Sequence, residues 1–507
     1  MRALDRDDLA PPSSASLVRI RARIESTRLP DLFVPVIALL ATFTAVPWLN
    51  RPMFRDEAAT IYSAHLGWSQ LLRQSGHVDF VLLPYYAIMH FWLYFSGSVV
   101  WGRLFSAAAY GLTVYMTGFV ATRIGGRTAG VIAAVLCATN PSMFHSAIYL
   151  RPYALGALAA VLASMAIIEW IRGGDDRLFW LFAAATVATL LLQLFSALAP
   201  LSVLFAAAAM NPARFRASWQ YVSKPLAIVA VAMALFLPVA ASQHQQVAWI
   251  KLNFFTNRAY LGPAGGSATY ERLMIILFLG SAIACLAEVA LGGAKPSRKR
   301  VELVLAIASW SALPTALLIT ASLVLQPVFI LRYVTASAPG LAILVALMLA
   351  RAVRLAANGS TWRVLSVAGA GVATAVLLFA AGSVTTGNTV HENFRAASEY
   401  LAANVQPGDV VALPDHSITT AVNYYLARRH VDLPAWPQIA HQYQIEGLDL
   451  SLDPPAERAS PPPGVWLVED GSTRGLSAFK EALLSQGYVL LEERSFKQAK
   501  VLLYRVW

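Results

Sequence analysis

Charge is what this sequence has least of: 13% of its 507 residues are charged and 57% are hydrophobic, where a water-soluble globular chain is about a quarter charged. Water is therefore not its main solvent. Two cysteines, Cys137 and Cys285, both sit in apolar runs, which excludes a disulfide framework and a cysteine-based metal cluster. The sequence also lacks a glycine-rich phosphate loop ahead of a helix, His or Cys residues at metal-ligand spacing, and a serine-nucleophile motif. Its formal charge of +11 gathers in loops between apolar runs. That pattern belongs to membrane topology and contact with anionic lipid, not to nucleic acid.

Long apolar runs are what the sequence does have. Leu32 to Leu49, Leu104 to Thr122, Thr128 to Leu150 and Pro225 to Ile250 approach or exceed the ~20 residues that cross a hydrocarbon core. Leu178 to Ala213 is long enough for two spans, and Pro152 to Ile168, Leu273 to Ala287, Leu303 to Leu331, Tyr333 to Ala350 and Val364 to Val390 complete the set. The expectation is a polytopic α-helical membrane protein with about eleven transmembrane helices. Residues 1–30 are rich in charge and no small-residue cleavage pattern follows the first apolar run, so they read as a cytosolic tail ahead of a signal anchor.

Phe80 to Phe95 sets the parity of everything after it. If it does not span, the clusters Arg123/Arg127, Arg172/Arg177, Arg214/Arg216/Lys224, Lys295 to Arg300 and Arg351/Arg354/Arg363 all face the cytosol, as the positive-inside rule requires. We therefore lay it along the outer interface, where Tyr85, Tyr86, Trp92 and Tyr94 suit headgroup depth. The membrane part then covers residues 31–385 with a large first external loop at 50–100, and residues 386–507 lie outside. In that last part, helix-like Phe394 to Val405, Thr419 to Arg428 and Leu476 to Gln486 alternate with strand-like Val410 to Leu413, Val465 to Val468, Tyr488 to Leu491 and Val501 to Val506. A small extracytoplasmic α/β domain is expected, with Pro454 to Pro463 as a loop.

Candidate chemistry falls on the outer side. Asp56 and Glu57 follow the first span closely; one of them can serve as a general base, or the two form a solvated pair beside Arg55. Asp79 opens the interfacial segment, either as a partly desolvated acid or as a helix N-cap, and His77 beside it reads more simply as a polar cap. Arg151 and Arg332 stand apart from the cytosolic clusters. A boundary arginine either binds a lipid phosphate bidentately or snorkels to the interface. Gln243 to Tyr270, with Gln246 and Trp249, has sugar-binding side chains that also suit any polar loop at a membrane surface.

Taken in order, Phe54-Arg55-Asp56-Glu57, Val78-Asp79, Tyr85-Tyr86-Ala87-Ile88-Met89-His90-Phe91-Trp92, Arg103-Leu104-Phe105-Ser106-Ala107, Arg151-Pro152-Tyr153-Ala154-Leu155 and Arg332-Tyr333 resemble the lipid-linked-sugar glycosyltransferases of the GT-C fold. The likeness is to bacterial relatives of protein O-mannosyltransferases and aminoarabinose transferases. It implies inverting transfer of mannose or a pentose from a polyprenyl-phosphate donor to a cell-envelope glycan, lipid or protein at the outer face of the bacterial inner membrane. Asp56 would then be the base and Glu57 its support, while Arg151, Arg332 and Tyr333 would hold the donor phosphate. Asp79, His77, Tyr153 and Gln246 would contact acceptor or sugar. Where relatives carry Pro-Pro in the first loop, this chain has Val81-Leu82-Leu83-Pro84, a departure on the acceptor side. In the first external loop the acidic pair Asp56-Glu57 stands without an Asp-X-Asp motif, which points to a reaction with no metal or other cofactor. The rival is a lipid or solute transporter whose arginines line a path, against which stands the absence of inverted repeats.

Overall fold

Apolar runs fold into helices because a bilayer offers backbone groups no outside hydrogen-bond partner. The computed structural model describes residues 32–247, 250–251, 270–272, 274–277, 297–357, 392–414, 416–432, 462–470 and 476–506. Residues 1–30, Cys285, the run Val364 to Val390 and most of Leu273 to Ala287 and of Pro454 to Pro463 lie outside the described residues. Among the described residues, five helices are long and apolar enough to cross a membrane: Val99–Gly125, Tyr153–Gly173, Trp219–Ser242, Arg298–Val324 and Leu331–Arg351. The chain is a polytopic helical membrane protein.

Other expected spans are broken. Thr128 to Leu150 divides into Arg127–Ala138 and Pro141–Ala147, because Asn140 leaves the helix and its side chain accepts the Met143 N–H at 3.0 Å. Leu178 to Ala213, long enough for two spans, does divide into two helices, Leu178–Leu192 and Leu198–Met210, at the extended Gln193. At ~1.5 Å per residue such pieces fall short of a ~30 Å core unless stacked end to end. Hydropathy sees the run but not the break within it.

The first loop folds as three short helices, Arg55–His65, Trp68–His77 and Leu83–Tyr94. The last of these corrects the expected interfacial face. Tyr85 and Tyr86 are fully buried against the loop's own core, whereas Phe91, Tyr94, Phe95 and, from the neighbouring helix, Trp68 are exposed.

Toward the C-terminus, strands β1 (Val410–Ala412), β2 (Gly464–Asp470), β3 (Tyr488–Phe496) and β4 (Ala499–Val506) form one sheet in the order β1-β2-β4-β3. β1 runs parallel to β2 and the remaining pairs are antiparallel. Helices Phe394–Asn404, His416–Ala427 and Leu476–Ser485 complete an α/β unit. Its core is continuous with that of the first loop: Ile418, Val422 and Tyr425 join Met53, Ala58 and Ile61 in one buried cluster. Polar ties follow the same seam. Tyr425 Oη accepts the Met53 N–H at 2.6 Å, Tyr424 Oη accepts the Val99 N–H at 3.1 Å, and Arg395 donates to the Asn50 carbonyl at 2.7 Å.

Candidate active site

Asp56 and Glu57 occupy the first turn of helix Arg55–His65, where carboxylates suit the partial positive charge of the helix end. Successive side chains diverge by about 100° around a helix, so the two enter different surroundings. Glu57 is fully buried, as is Arg103. Arg103 donates Nη2 to Glu57 Oε2 at 2.5 Å and Nε to Oε1 at 2.8 Å. Its other hydrogens go to the carbonyls of Leu49, Arg51 and Pro52 at 2.7, 2.8 and 3.2 Å. Glu57 further accepts the N–H groups of Leu150 at 2.9 Å and Phe54 at 3.3 Å. Burial alone would raise the Glu57 carboxyl, but the Arg103 guanidinium overrides it and holds the group below its usual range. Glu57 is a structural tie, saturated with donors.

Asp56 is one-third exposed, and its Oδ2 accepts from Arg332 Nη1 at 3.3 Å and lies 3.9 Å from Arg151 Nη2. Arg151 Nη1 also donates to the Asp56 carbonyl at 3.2 Å and to Thr60 Oγ1 at 3.4 Å. Its Nε is buried without a hydrogen-bond partner among the described residues. Glu57 places this arginine, because the Leu150 N–H it accepts belongs to the adjoining residue. Leu150 in turn packs so close to Gly102 that a Cβ there would stand 2.7 Å from its Cδ1. Only glycine fits.

Arg332 is placed from the other side. It lies on the 3-10 turn Leu331–Ser337. Trp310 Nε1 donates to the Ala336 carbonyl of that turn at 2.8 Å, Ser142 and Thr335 share a 2.5 Å hydroxyl contact, and Tyr333 packs on Phe195 with ring centroids 4.8 Å apart. Gly340, next along the chain, leaves room for the Trp310 ring, which a Cβ would meet at 2.7 Å. The Arg332 guanidinium also lies 5.8 Å over the Tyr153 ring. Sequence-expected Asp56, Arg151, Tyr153, Arg332 and Tyr333 thus form one cluster.

Asp79 joins its edge. The residue is left-handed at φ 59°, a conformation that aspartate tolerates better than most side chains. It precedes the turn Phe80–Leu82, yet its side chain makes no cap bond; instead Oδ2 accepts from Tyr86 Oη at 2.9 Å. Burial raises its carboxyl above the usual range, against the pull of Arg151. Gln243 braces this loop by accepting the Phe80 N–H at 2.9 Å and donating to the Ser75 carbonyl at 3.0 Å. His77 is exposed at the end of its helix, and no described polar contact joins it to the cluster. The Gln246 side chain lies outside the described residues.

Several members had no role in the sequence reading. Arg103 stood in a quoted motif without a partner, since nothing local links it to a carboxylate 46 positions earlier. Tyr86 was placed in the interface, and Gln243 was one polar residue among many in its loop. From the C-terminal unit, Asp470 accepts from Arg55 Nη1 at 3.3 Å and 3.4 Å. Glu392 accepts the Arg55 backbone N–H, and burial first, then Asp470 and Asp56, push its carboxyl up to about 7.

The fold and this cluster define a class: a membrane protein of the GT-C fold with a carboxylate held between two arginines where the bundle meets its α/β unit. The chain is similar in structure to ArnT from Cupriavidus metallidurans. The apo state aligns at TM-score 0.53 and 14% identity over 97% of this chain and 98% of that one. The state bound to undecaprenyl phosphate aligns at 0.52 and 13% over 93% and 97%. An oligosaccharyltransferase from Archaeoglobus fulgidus aligns at 0.45 and 11% over 76% of this chain and 61% of that one, a likeness that carries no weight here. No protein-family model matches the chain, and no curated protein matches its sequence.

Proposed function

We propose that this protein is an inverting glycosyltransferase that moves a sugar, mannose or a pentose, from a polyprenyl-phosphate donor to a cell-envelope acceptor. The observation that carries the proposal is Asp56, a part-open carboxylate between Arg151 and Arg332. Two guanidiniums beside one part-exposed carboxylate are a ready site for a phosphate, which both can bind through paired hydrogen bonds. When the donor phosphate takes their charge, Asp56 loses its partners and regains basicity. It then removes the acceptor's hydroxyl proton while the oxygen attacks the anomeric carbon. The bond from that carbon to phosphate oxygen breaks, and Arg151 and Arg332 stabilise the departing polyprenyl phosphate as charge develops. Attack opposite the leaving group inverts the centre with no covalent enzyme intermediate.

Similarity to an ArnT structure that holds undecaprenyl phosphate supports the donor class. Orientation rests on charge. Arg123, Arg172, Arg214 and Lys299 converge on Glu169 and the Trp170 to Arg172 carbonyls at the far end of the bundle; the positive-inside rule makes that end cytosolic. The chemistry and the α/β unit then face outward from the bacterial inner membrane, and about eleven spans remain the proposed count. Neither a metal nor another cofactor is needed for this chemistry. Asp56→Asn is the test. It keeps shape and hydrogen bonding but removes the base, so transfer should fall by roughly 10²- to 10⁴-fold with an unchanged melting temperature. Full transfer by this variant would end the proposal.

A further inference from the structure

Arg55 is the immediate neighbour of Asp56, and it begins its helix. A guanidinium is disfavoured at that end by the helix dipole, so it needs an anion nearby. Among the described residues three carboxyls lie near it by position: Glu392, which accepts the Arg55 backbone N–H and whose carboxyl is raised to about 7, Asp56, one residue on, and Asp470, at the end of β2. Asp470 is almost wholly buried and takes Arg55 Nη1 on both of its oxygens, at 3.3 and 3.4 Å. Asp56 faces Arg151 from the turn before helix Tyr153–Gly173 and Arg332 from the turn Leu331–Ser337. The Asp79 and Glu392 carboxyls complete its charged surroundings.

We propose that Asp470 is a positioning residue for Asp56: by holding the Arg55 guanidinium it keeps a third arginine off the reactive carboxylate, so the C-terminal unit sets the strength of a base it does not itself contain. The inference rests on the reading of Asp56 as the base. Without Asp470, Arg55 turns to Asp56. That carboxylate then stays paired after donor phosphate has engaged Arg151 and Arg332, and proton removal slows while donor binding does not. The seam that carries the effect is already ordered by the Tyr425, Tyr424 and Arg395 bonds, so the loss of one ion pair leaves the unit docked.

The test uses full-length protein in detergent, comparing wild type with Asp470→Asn, Arg55→Gln and the double variant. The first readout needs no enzymatic activity: esterification of Asp56 by a diazo reagent, which consumes the protonated acid, followed by mass spectrometry at fixed pH. Added pairing with a cation should cut labelling about tenfold in Asp470→Asn. Arg55→Gln alone should leave labelling within twofold of wild type, and the double variant should return to that level. In transfer assays, kcat should fall roughly 3- to 10-fold in Asp470→Asn with the donor KM unchanged, and should recover in the double variant. Unchanged labelling in Asp470→Asn, or no recovery when Arg55 is also removed, would overturn the proposal. If Asp470→Asn does not fold, Arg55→Gln still decides: a large fall in its kcat would place Arg55 at substrate and contradict a role limited to interference. If wild type transfers no sugar from any polyprenyl-phosphate donor, the enzymatic reading fails, yet labelling still reports on Asp470.

Discussion

Asp56 and Glu57 are adjacent and carry the same functional group, yet one turn of backbone sends them into opposite regimes. Glu57 lies in a sealed region where every oxygen meets a donor and Arg103 spends its hydrogens on Glu57 and three carbonyls. Asp56 lies in an open region where two arginines share one oxygen at 3.3 and 3.9 Å. The sealed pair fixes geometry; the open cluster is the proposed site for an incoming phosphate. Because Glu57 also anchors Leu150, next to Arg151, the sealed region positions the open one.

The contrast can be broken in several ways. The largest effect belongs to the sealed side. Glu57→Ala leaves Arg103 buried and uncompensated, which should cost about 3–5 kcal/mol and most of the folded yield. Asp56→Ala removes a part-exposed pair and should cost under about 1 kcal/mol. Equal losses in melting temperature would erase the distinction. On the open side, Arg332→Ala should weaken binding of undecaprenyl phosphate by about 10- to 100-fold, equivalent to one charge-assisted hydrogen bond, and leave acceptor KM in place. An unchanged donor affinity would remove Arg332 from the phosphate site.

At the seam between first loop and α/β unit, Tyr425→Phe strands the buried Met53 N–H and should destabilise by about 1–3 kcal/mol. Chemical denaturation would measure it, and the loss should appear in both parts together because their core is shared. The smallest effect is a pH dependence. The Glu392 carboxyl is raised to about 7 by burial and then by Asp470 and Asp56, and among the described residues its buried Oε2 has no hydrogen-bond partner. The folded state therefore holds this proton more tightly than the unfolded chain does. The stability it contributes is full below the unfolded value near ~4.3 and is lost as pH rises through about 7. Melting temperature should decline across that window, and less steeply in Glu392→Gln.

Much of this was legible in the sequence. Three strands of the C-terminal unit fell within two residues of their observed limits, as Val501 to Val506 against Ala499–Val506 shows, because period and β-branched content are local; Tyr488 to Leu491 stopped five residues short of Tyr488–Phe496. Arg151 and Arg332 stood out because they run against the charge bias of the chain, and Asp56 because a pair of carboxylates follows the first span closely. What stayed hidden depends on the third dimension. The break at Asn140 leaves no mark in hydropathy, Arg103 pairs across 46 positions, and Asp470 reaches Arg55 across 415. Tyr85 and Tyr86 were misplaced because their aromatic character suits an interface and a core equally well.

The central claim is that the arginines flanking Asp56 exist to hold a lipid phosphate. Its most direct measurement is a density map of the full-length protein with undecaprenyl phosphate added. The account predicts phosphate density within hydrogen-bond distance of Arg151 and Arg332, with the contacts from both to Asp56 lengthened. A phosphate bound elsewhere, with Asp56 still paired to Arg332, would contradict it.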